Sequence, residues 1–535
     1  MDNISQAIVK WQEILGENKV IIDKDQLIKN SVTTTGVKKH PICRLEPDTS
    51  EEVSKILEIA NEFHVTVYPY SRGNNHGYNS SCSYSDKSVL INLSDMKRII
   101  SYDNYFGYIE IEPGVTFKQL YEYVANHMPD RMISGFGGSM SASIIGNALD
   151  RGVGKGVYGN REKSSIITEV ITAQGAVLNL KDKLGLDDIT GVFSHATVGP
   201  SLNELFYQSN YGVVTKMIVY LESIPEYMTV LAFSVPKDDM LPKIVEKLNL
   251  LNKLKVIEPV YSLYNDERLA VGSGLGKKSE YIDQGYTTKA AIKDIIDKLS
   301  ERYKRKLSRW NSSFAIHCSC KEESDLRIAQ IQNILGDTID GFSYSSITKS
   351  QAKEIIQNSL SYADSNPPES EFKFLFNLGF TNDYDQQTLY WKSKASMTSE
   401  SVAVIDGSGL IFFVPKIPFK PENIKESLEI VKTISDKYDY EVPVTYQFKS
   451  QYFCYLVLPV LFDKNNQNDV DKAYKYYIEL FNSFKDKGYI PYRVPDISMR
   501  DMFSKDTNYN DLTHKIKTIF DPNNIIDPIK YMYHK

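Results

Sequence analysis

The sequence predicts an α+β fold, and three observations carry that reading. Apolar or alternating runs at residues 65–68, 88–93 and 108–115 have the period of strands, whereas residues 50–63 place Val53, Ile56, Leu57 and Ala60 on one helical face. Clusters of glycine and small polar residues follow the strands. From residue 228 to residue 480, long amphipathic segments such as 237–248 are interleaved with strands such as 410–415, the alternation of one separate α+β unit.

The first segment spaces Ile4, Ile8, Trp11 and Leu15 as a helix does and scatters charges among them, so it reads as a docked helix and not a leader. Residues 50–63 have a capping-type start and feed the strand at 65–68. That strand runs into Pro69-Tyr-Ser-Arg-Gly-Asn-Asn-His-Gly-Tyr78, where Gly73 and Gly77 permit positive φ and backbone N–H groups can converge on an anion. A plain Gly/Asn turn is the competing reading. The strand at 108–115 ends in Pro113-Gly114, and residues 135–154 then hold six glycines, a density that serves close approach of a ligand. Residues 168–180 read as a hairpin turning at Gln174-Gly175, and Gly212 precedes another apolar strand within 205–217.

With 535 residues, 42% of them hydrophobic, and a mean hydropathy of −0.33, the chain can bury a large core in about two or three domains. A net charge of −6 and a pI near 5.9, with no basic run interleaved with aromatics, argue against a nucleic-acid partner. The most apolar stretches, such as 455–462, are too short to span a bilayer. Five scattered cysteines argue for a reducing compartment and against a disulfide scaffold. His317, Cys318 and Cys320 lie in an alternating, strand-like run with no second ligand pair nearby, so they read as structural and no metal site is expected.

Several segments together resemble the flavoprotein family of vanillyl alcohol oxidase and p-cresol methylhydroxylase, and the methylhydroxylase flavoprotein subunit more closely. They are Ser71-Arg-Gly-Asn-Asn-His-Gly-Tyr78, Ile111-Glu-Pro-Gly-Val-Thr-Phe-Lys-Gln-Leu-Tyr121, Gly146-Asn-Ala-Leu-Asp-Arg-Gly-Val-Gly154 with Tyr158-Gly159, and Gln208-Ser-Asn-Tyr-Gly-Val-Val-Thr-Lys216. Pro491-Tyr-Arg493 and Phe520-Asp-Pro-Asn-Asn-Ile-Ile-Asp-Pro528 complete the set. These pieces span nearly the whole chain in the family's order. The resemblance implies a FAD-binding domain of two α+β subdomains at residues 1–225, an inserted cap of antiparallel sheet and helices at 226–480, and a segment at 481–535 that returns to the FAD domain.

By the same resemblance Ser71, Arg72, Gly73, Asn74, Asn75, His76 and Gly77 lie along the FAD diphosphate, with Gly138, Ser139, Gly146, Asn147 and Val214 as further cofactor contacts. Tyr78, Tyr158, Tyr492 and Arg493 match the family's phenol site and are expected to converge in space. The implied reaction is oxidation of the benzylic carbon of a 4-alkylphenol or 4-hydroxybenzyl alcohol through a p-quinone methide. A FAD-dependent oxidase of a non-phenolic alcohol or biosynthetic intermediate on the same scaffold is the alternative, and a flavin-free binding paralogue is a third reading.

The chain departs from the family in places. Leu410 stands where the oxidase carries its flavin-linking histidine, which excludes histidyl attachment there. The methylhydroxylase links flavin through a tyrosine, for which Tyr390 is the candidate, and His76 is another conceivable anchor. Lys530 replaces a pocket arginine and lacks its planar fork. The expectation is a cytoplasmic homo-oligomer that uses dioxygen or an unidentified electron acceptor.

Overall fold

The structure, a computed structural model, describes residues 2–532 apart from 195, 197, 363–366, 381–382, 396 and 398–401. Its architecture is α+β. Three larger sheets carry it, besides a two-stranded pairing of Glu222–Ser223 with Arg131–Met132.

A helix, Asn3–Leu15, opens the chain, with Asp2 capping it and Ala7, Trp11 and Leu15 buried. It packs with helix Ser50–Glu62, which Thr49 caps by accepting from the Glu52 N–H. Both helices cover a four-stranded sheet in the order Val20–Ile21, Cys43–Leu45, Val89–Asn92, Val67–Tyr70. The last three strands are parallel, so their carboxyl ends share one edge. The strand expected at 65–68 begins two residues later. The N–H groups of Phe63 and Val65 still bond back to Ile59 and Ala60, and His64 takes a φ of 54°, so residues 63–66 are spent leaving the helix.

The second sheet is antiparallel, in the order Ile99–Asp103, Tyr108–Ile111, Val213–Tyr220, Ser165–Ile171, Val177–Asn179. The hairpin expected at residues 168–180 is present and turns at Gly175, whose φ is +79°. Helix Phe117–His127 and the short helix Ile144–Leu149 bury Leu120, Val124, Ile144 and Ile145 with this sheet.

The third sheet has eight strands drawn from residues 227–463. Tyr227–Val235 lies between Asp340–Thr348 and Trp310–Cys318, and Phe453–Asp463 pairs with Thr445–Phe448, Ser408–Phe413 and Lys416–Pro418. Helices Leu241–Lys253, Lys321–Leu335, Pro421–Tyr438 and Gln467–Asp486 bury Ile244, Ile331, Val431 and Leu480 in one core with it. The helix expected at 237–248 starts at Leu241, because Pro242 suits a first turn and Asp238 is engaged by Arg309, Lys432 and the Trp310 indole. Cys318 is buried at the end of its strand and Cys320 is exposed beyond it. Among the described residues, no helix is long and apolar enough to cross a membrane.

The end of the chain returns to its beginning. Ile525 and Asp527 exchange backbone hydrogen bonds with Val67, extending the first sheet by one parallel bridge. The Asp527 carboxylate is wholly buried and accepts from the Ser83 and Ser85 hydroxyls and the Tyr84 N–H. Helix Asn508–Phe520 carries Lys517, whose buried ammonium meets Asp521 and the carbonyls of Asn210 (2.6 Å) and Ile526 (3.0 Å). Removing one partner of such a pair strands a charge in the interior. Asp521→Asn is expected to destabilise the fold by about 3–5 kcal/mol in urea unfolding, against less than about 0.5 kcal/mol for the exposed Asp325→Asn.

Candidate active site

The loop after strand Val67–Tyr70 leaves from the carboxyl edge of the parallel strands, where open α/β sheets receive ligands. Ser71, Arg72, Gly73, Asn74 and Asn75 line a cleft there. Ser143, Gly146 and Asn147 face them from the second glycine cluster, Asn210 and Val214 from the strand after Gly212, and Asp527 and Lys530 from the returning C-terminus. The two glycine-rich segments are tied together: Arg72 Nε donates to the Ser141 carbonyl (3.3 Å) and Asn74 Nδ2 to the Ser141 hydroxyl (2.8 Å). A Cβ on Gly146 would come within 2.7 Å of Ser71 Oγ, so the closeness of these walls depends on a missing side chain.

Asn75 connects the cleft to a buried aromatic cluster. Its amide donates to Asp150 (2.9 Å) and its carbonyl oxygen accepts from Arg493 Nη1 (3.0 Å). Arg493 also donates through Nη2 to the Tyr492 hydroxyl (2.8 Å), and its guanidinium carbon lies 4.7 Å from the centre of the Tyr78 ring. Tyr492 stacks on Tyr455 at 4.3 Å, and its carbonyl accepts from Gln208 of the cleft wall (2.9 Å). Burial alone would lower the Arg493 pKa, but the facing phenols of Tyr492 and Tyr78 and the Asp150 carboxylate raise it. Burial, reinforced by Tyr492, pushes the Tyr78 hydroxyl well above its ordinary range while Arg493 pulls it down. The result is a fixed cation, always charged, between two aromatic rings at the cleft's end.

Other expected residues lie elsewhere. His76 turns away from the cleft lining; its Nδ1 is shut from water without a partner, and burial, then Lys464, push its pKa down to about 4 against the pull of Asp406. Gly77 has a φ of +79°, its N–H bonds Thr34, and a Cβ would collide with Phe412, so it serves the turn that delivers Tyr78. Gly138 and Ser139 are not in the cleft lining; Ser139 instead bonds Ser141, the residue that Arg72 and Asn74 grip. Tyr158 does not join Tyr78, Tyr492 and Arg493. Its N–H is held by Glu222 (2.9 Å), and its phenol is close enough to Tyr220 to add to the burial that pushes that hydroxyl up to about 12. Tyr390 is buried in a separate apolar cluster with Leu410 and donates to Asp406 (2.6 Å); Phe412, packed on that cluster, is the ring beside Tyr78.

Asp150, Gln208, Tyr455 and Ser141 escaped sequence reasoning. Asp150 sat inside a quoted segment without a role, and Tyr455 lay in a run notable only for hydrophobicity.

The cleft suits a phosphate-bearing dinucleotide such as FAD. Its lining supplies small residues, a guanidinium and amide donors, and it includes buried polar atoms that lack partners, Asn147 Oδ1, Asn210 Oδ1 and Arg493 Nε. The comparisons agree: residues 41–181 match the FAD binding domain family. The chain is 24% identical over 532 residues to 1'-carboxy-chondrochloren decarboxylase of Chondromyces crocatus, covering 99% of this chain and 97% of that one. It is 26% identical over 541 residues to the 4-cresol dehydrogenase [hydroxylating] flavoprotein subunit of Pseudomonas putida, covering 98% and 94%. The crystal structure of p-cresol methylhydroxylase with substrate bound superposes with a TM-score of 0.85 at 23% identity, covering 99% and 97%. Filling the Gly146 gap should therefore weaken cofactor binding. In a Tyr390→Phe background, where no covalent bond through that residue can retain the flavin, Gly146→Val is expected to cost about 1–3 kcal/mol of FAD affinity, roughly fivefold to 150-fold, read as loss of flavin absorbance on dilution and gel filtration.

Proposed function

We propose that this chain, a FAD-dependent oxidoreductase of the vanillyl alcohol oxidase and p-cresol methylhydroxylase type, oxidises the benzylic carbon of a 4-alkylphenol or 4-hydroxybenzyl alcohol. The observation that carries this reading is Arg493 held between Tyr78 and Tyr492 beside the cleft. When bound, FAD supplies the hydride acceptor. Ser71 to Asn75, Gly146, Asn147 and Val214 would hold it.

The chain's own task is electrostatic. A free phenol has a pKa of about 10 and gives up a benzylic hydride readily only as its oxygen becomes anionic. A guanidinium whose Nε is shut from water and two tyrosine hydroxyls offer positive charge and O–H donors to that oxygen. Asn75 and Asp150 fix the guanidinium, so little reorganisation is needed as charge develops. Loss of hydride from the phenolate leaves a neutral p-quinone methide, which water traps as the benzylic alcohol. The name of the decarboxylase relative specifies a carboxylated substrate, so a substrate bearing an acid group belongs to this reading alongside a neutral one. Dioxygen or an unidentified partner takes the electrons onward in this reading, and the enzyme is a homo-oligomer.

Tyr492→Phe removes one hydroxyl and should slow anaerobic bleaching of the flavin by 4-alkylphenols about a hundredfold or more, with Arg493→Met slower still, both read by stopped-flow absorbance. Unchanged rates in both would favour a non-phenolic alcohol as substrate, and a protein that stays colourless after incubation with FAD would be a binding paralogue. We also propose covalent attachment through Tyr390, since its hydroxyl already donates to a carboxylate able to take its proton. Acid precipitation of the native protein should then retain the flavin in the pellet, and Tyr390→Phe should release it to the supernatant. Release from the native protein would exclude the linkage.

A further inference from the structure

Lys449 lies in the turn joining strands Thr445–Phe448 and Phe453–Asp463. It is 6% exposed, and its ammonium nitrogen is buried with no hydrogen-bond partner. The deeply buried lysines elsewhere are satisfied. Lys517 has Asp521 and two carbonyls, Lys392 has Glu441 at 3.1 Å, and Lys464 has the Val404 carbonyl at 2.6 Å. An unpaired ammonium is costly to bury, and the face of one ring, Tyr455 at 5.3 Å, replaces only part of its hydration. Burial pushes its pKa down to about 8, so it remains a cation at neutral pH.

Its surroundings are those of the phenol cluster. Tyr455, over which Lys449 sits, stacks on Tyr492, and Tyr492 accepts from Arg493. The charged groups that act on Lys449 are Glu162, Arg493, Arg151 and Lys163, and Glu162 is already engaged by Arg151 at 2.9 Å. Three other cations and one committed carboxylate leave this corner electropositive in a chain of net charge −6. Arg493 and the tyrosines account for a phenolate oxygen. Lys449, over the ring of Tyr455 and without a partner of its own, is left for a second negative group.

We propose that Lys449 is a substrate-binding residue that receives a carboxylate carried by the phenol, making phenolic acids the preferred substrates. This rests on the phenol reading of Tyr78, Tyr492 and Arg493. The test is calorimetric titration of dithionite-reduced holoenzyme, in which no turnover occurs, with 3-(4-hydroxyphenyl)propanoate, 4-ethylphenol, 3-phenylpropanoate and acetate. The acid should bind at least about tenfold more tightly than 4-ethylphenol, Lys449→Met should abolish that preference, and Lys449→Arg should keep part of it. Relief of an unpaired buried charge should leave the melting temperature of Lys449→Met equal to or above that of the parent, whereas a structural lysine would lower it. Equal affinity of the unaltered enzyme for both phenols, or a preference that survives Lys449→Met, would overturn the proposal; so would acetate binding as tightly as the phenolic acid, which assigns the site to a free anion. Binding of 3-phenylpropanoate that depends on Lys449, with no response to any phenol, would overturn the phenol reading and leave the carboxylate site standing.

Discussion

Everything near the cleft depends on the return of the C-terminal segment to the first sheet. Asp527 stitches the turn at Ser83 to Ser85 to the chain end, while Lys517 clamps the Asn210 carbonyl to helix Asn508–Phe520. Both charges are buried, so each is a liability unless every partner is in place. Lining residues more than three hundred positions apart in sequence can face one another because these contacts close the wall.

The aromatic end of the cleft obeys the same logic on a smaller scale. Arg493 is positioned by Asn75 of the first loop, and Tyr492 by Gln208 of the second sheet's approach and by Val414. The guanidinium therefore registers the geometry of two sheets at once. A fixed donor set of this kind can stabilise developing charge without reorganising.

The fold was legible where periodicity is strong. Helix Ser50–Glu62, the 168–180 hairpin and the alternation of Trp310–Cys318 follow directly from apolar spacing. Loop residues Ser71 to Asn75, with Gly146 and Asn147, stood out only through the resemblance of several motifs in order along the chain, because a Gly/Asn turn after a strand is by itself more often a plain turn; the structure places them along one cleft. The rest of the site was not legible, because it is made by long-range partners. Nothing local shows that Asp150 pairs with Asn75, or that Tyr455 will stack on Tyr492. Tyr158 differs: its motif suggested convergence, yet its N–H is held by Glu222, and among the described contacts none joins it to Tyr78, Tyr492 or Arg493. Ser139 is linked to the first glycine-rich loop through Ser141.

The hairpin that carries Lys449 and Tyr455 belongs to the eight-stranded sheet, whereas every glycine-rich wall of the cleft belongs to the two smaller ones. In the proposed reading, Arg493 belongs to the cleft itself, with Tyr78 against its guanidinium, while Lys449 and Tyr455 are added from a different sheet, the two parts meeting at Tyr492. If Lys449 reads the substrate as proposed, substitutions in residues 449–455 would change which molecule is accepted without touching the loops at 71–75 and 143–147.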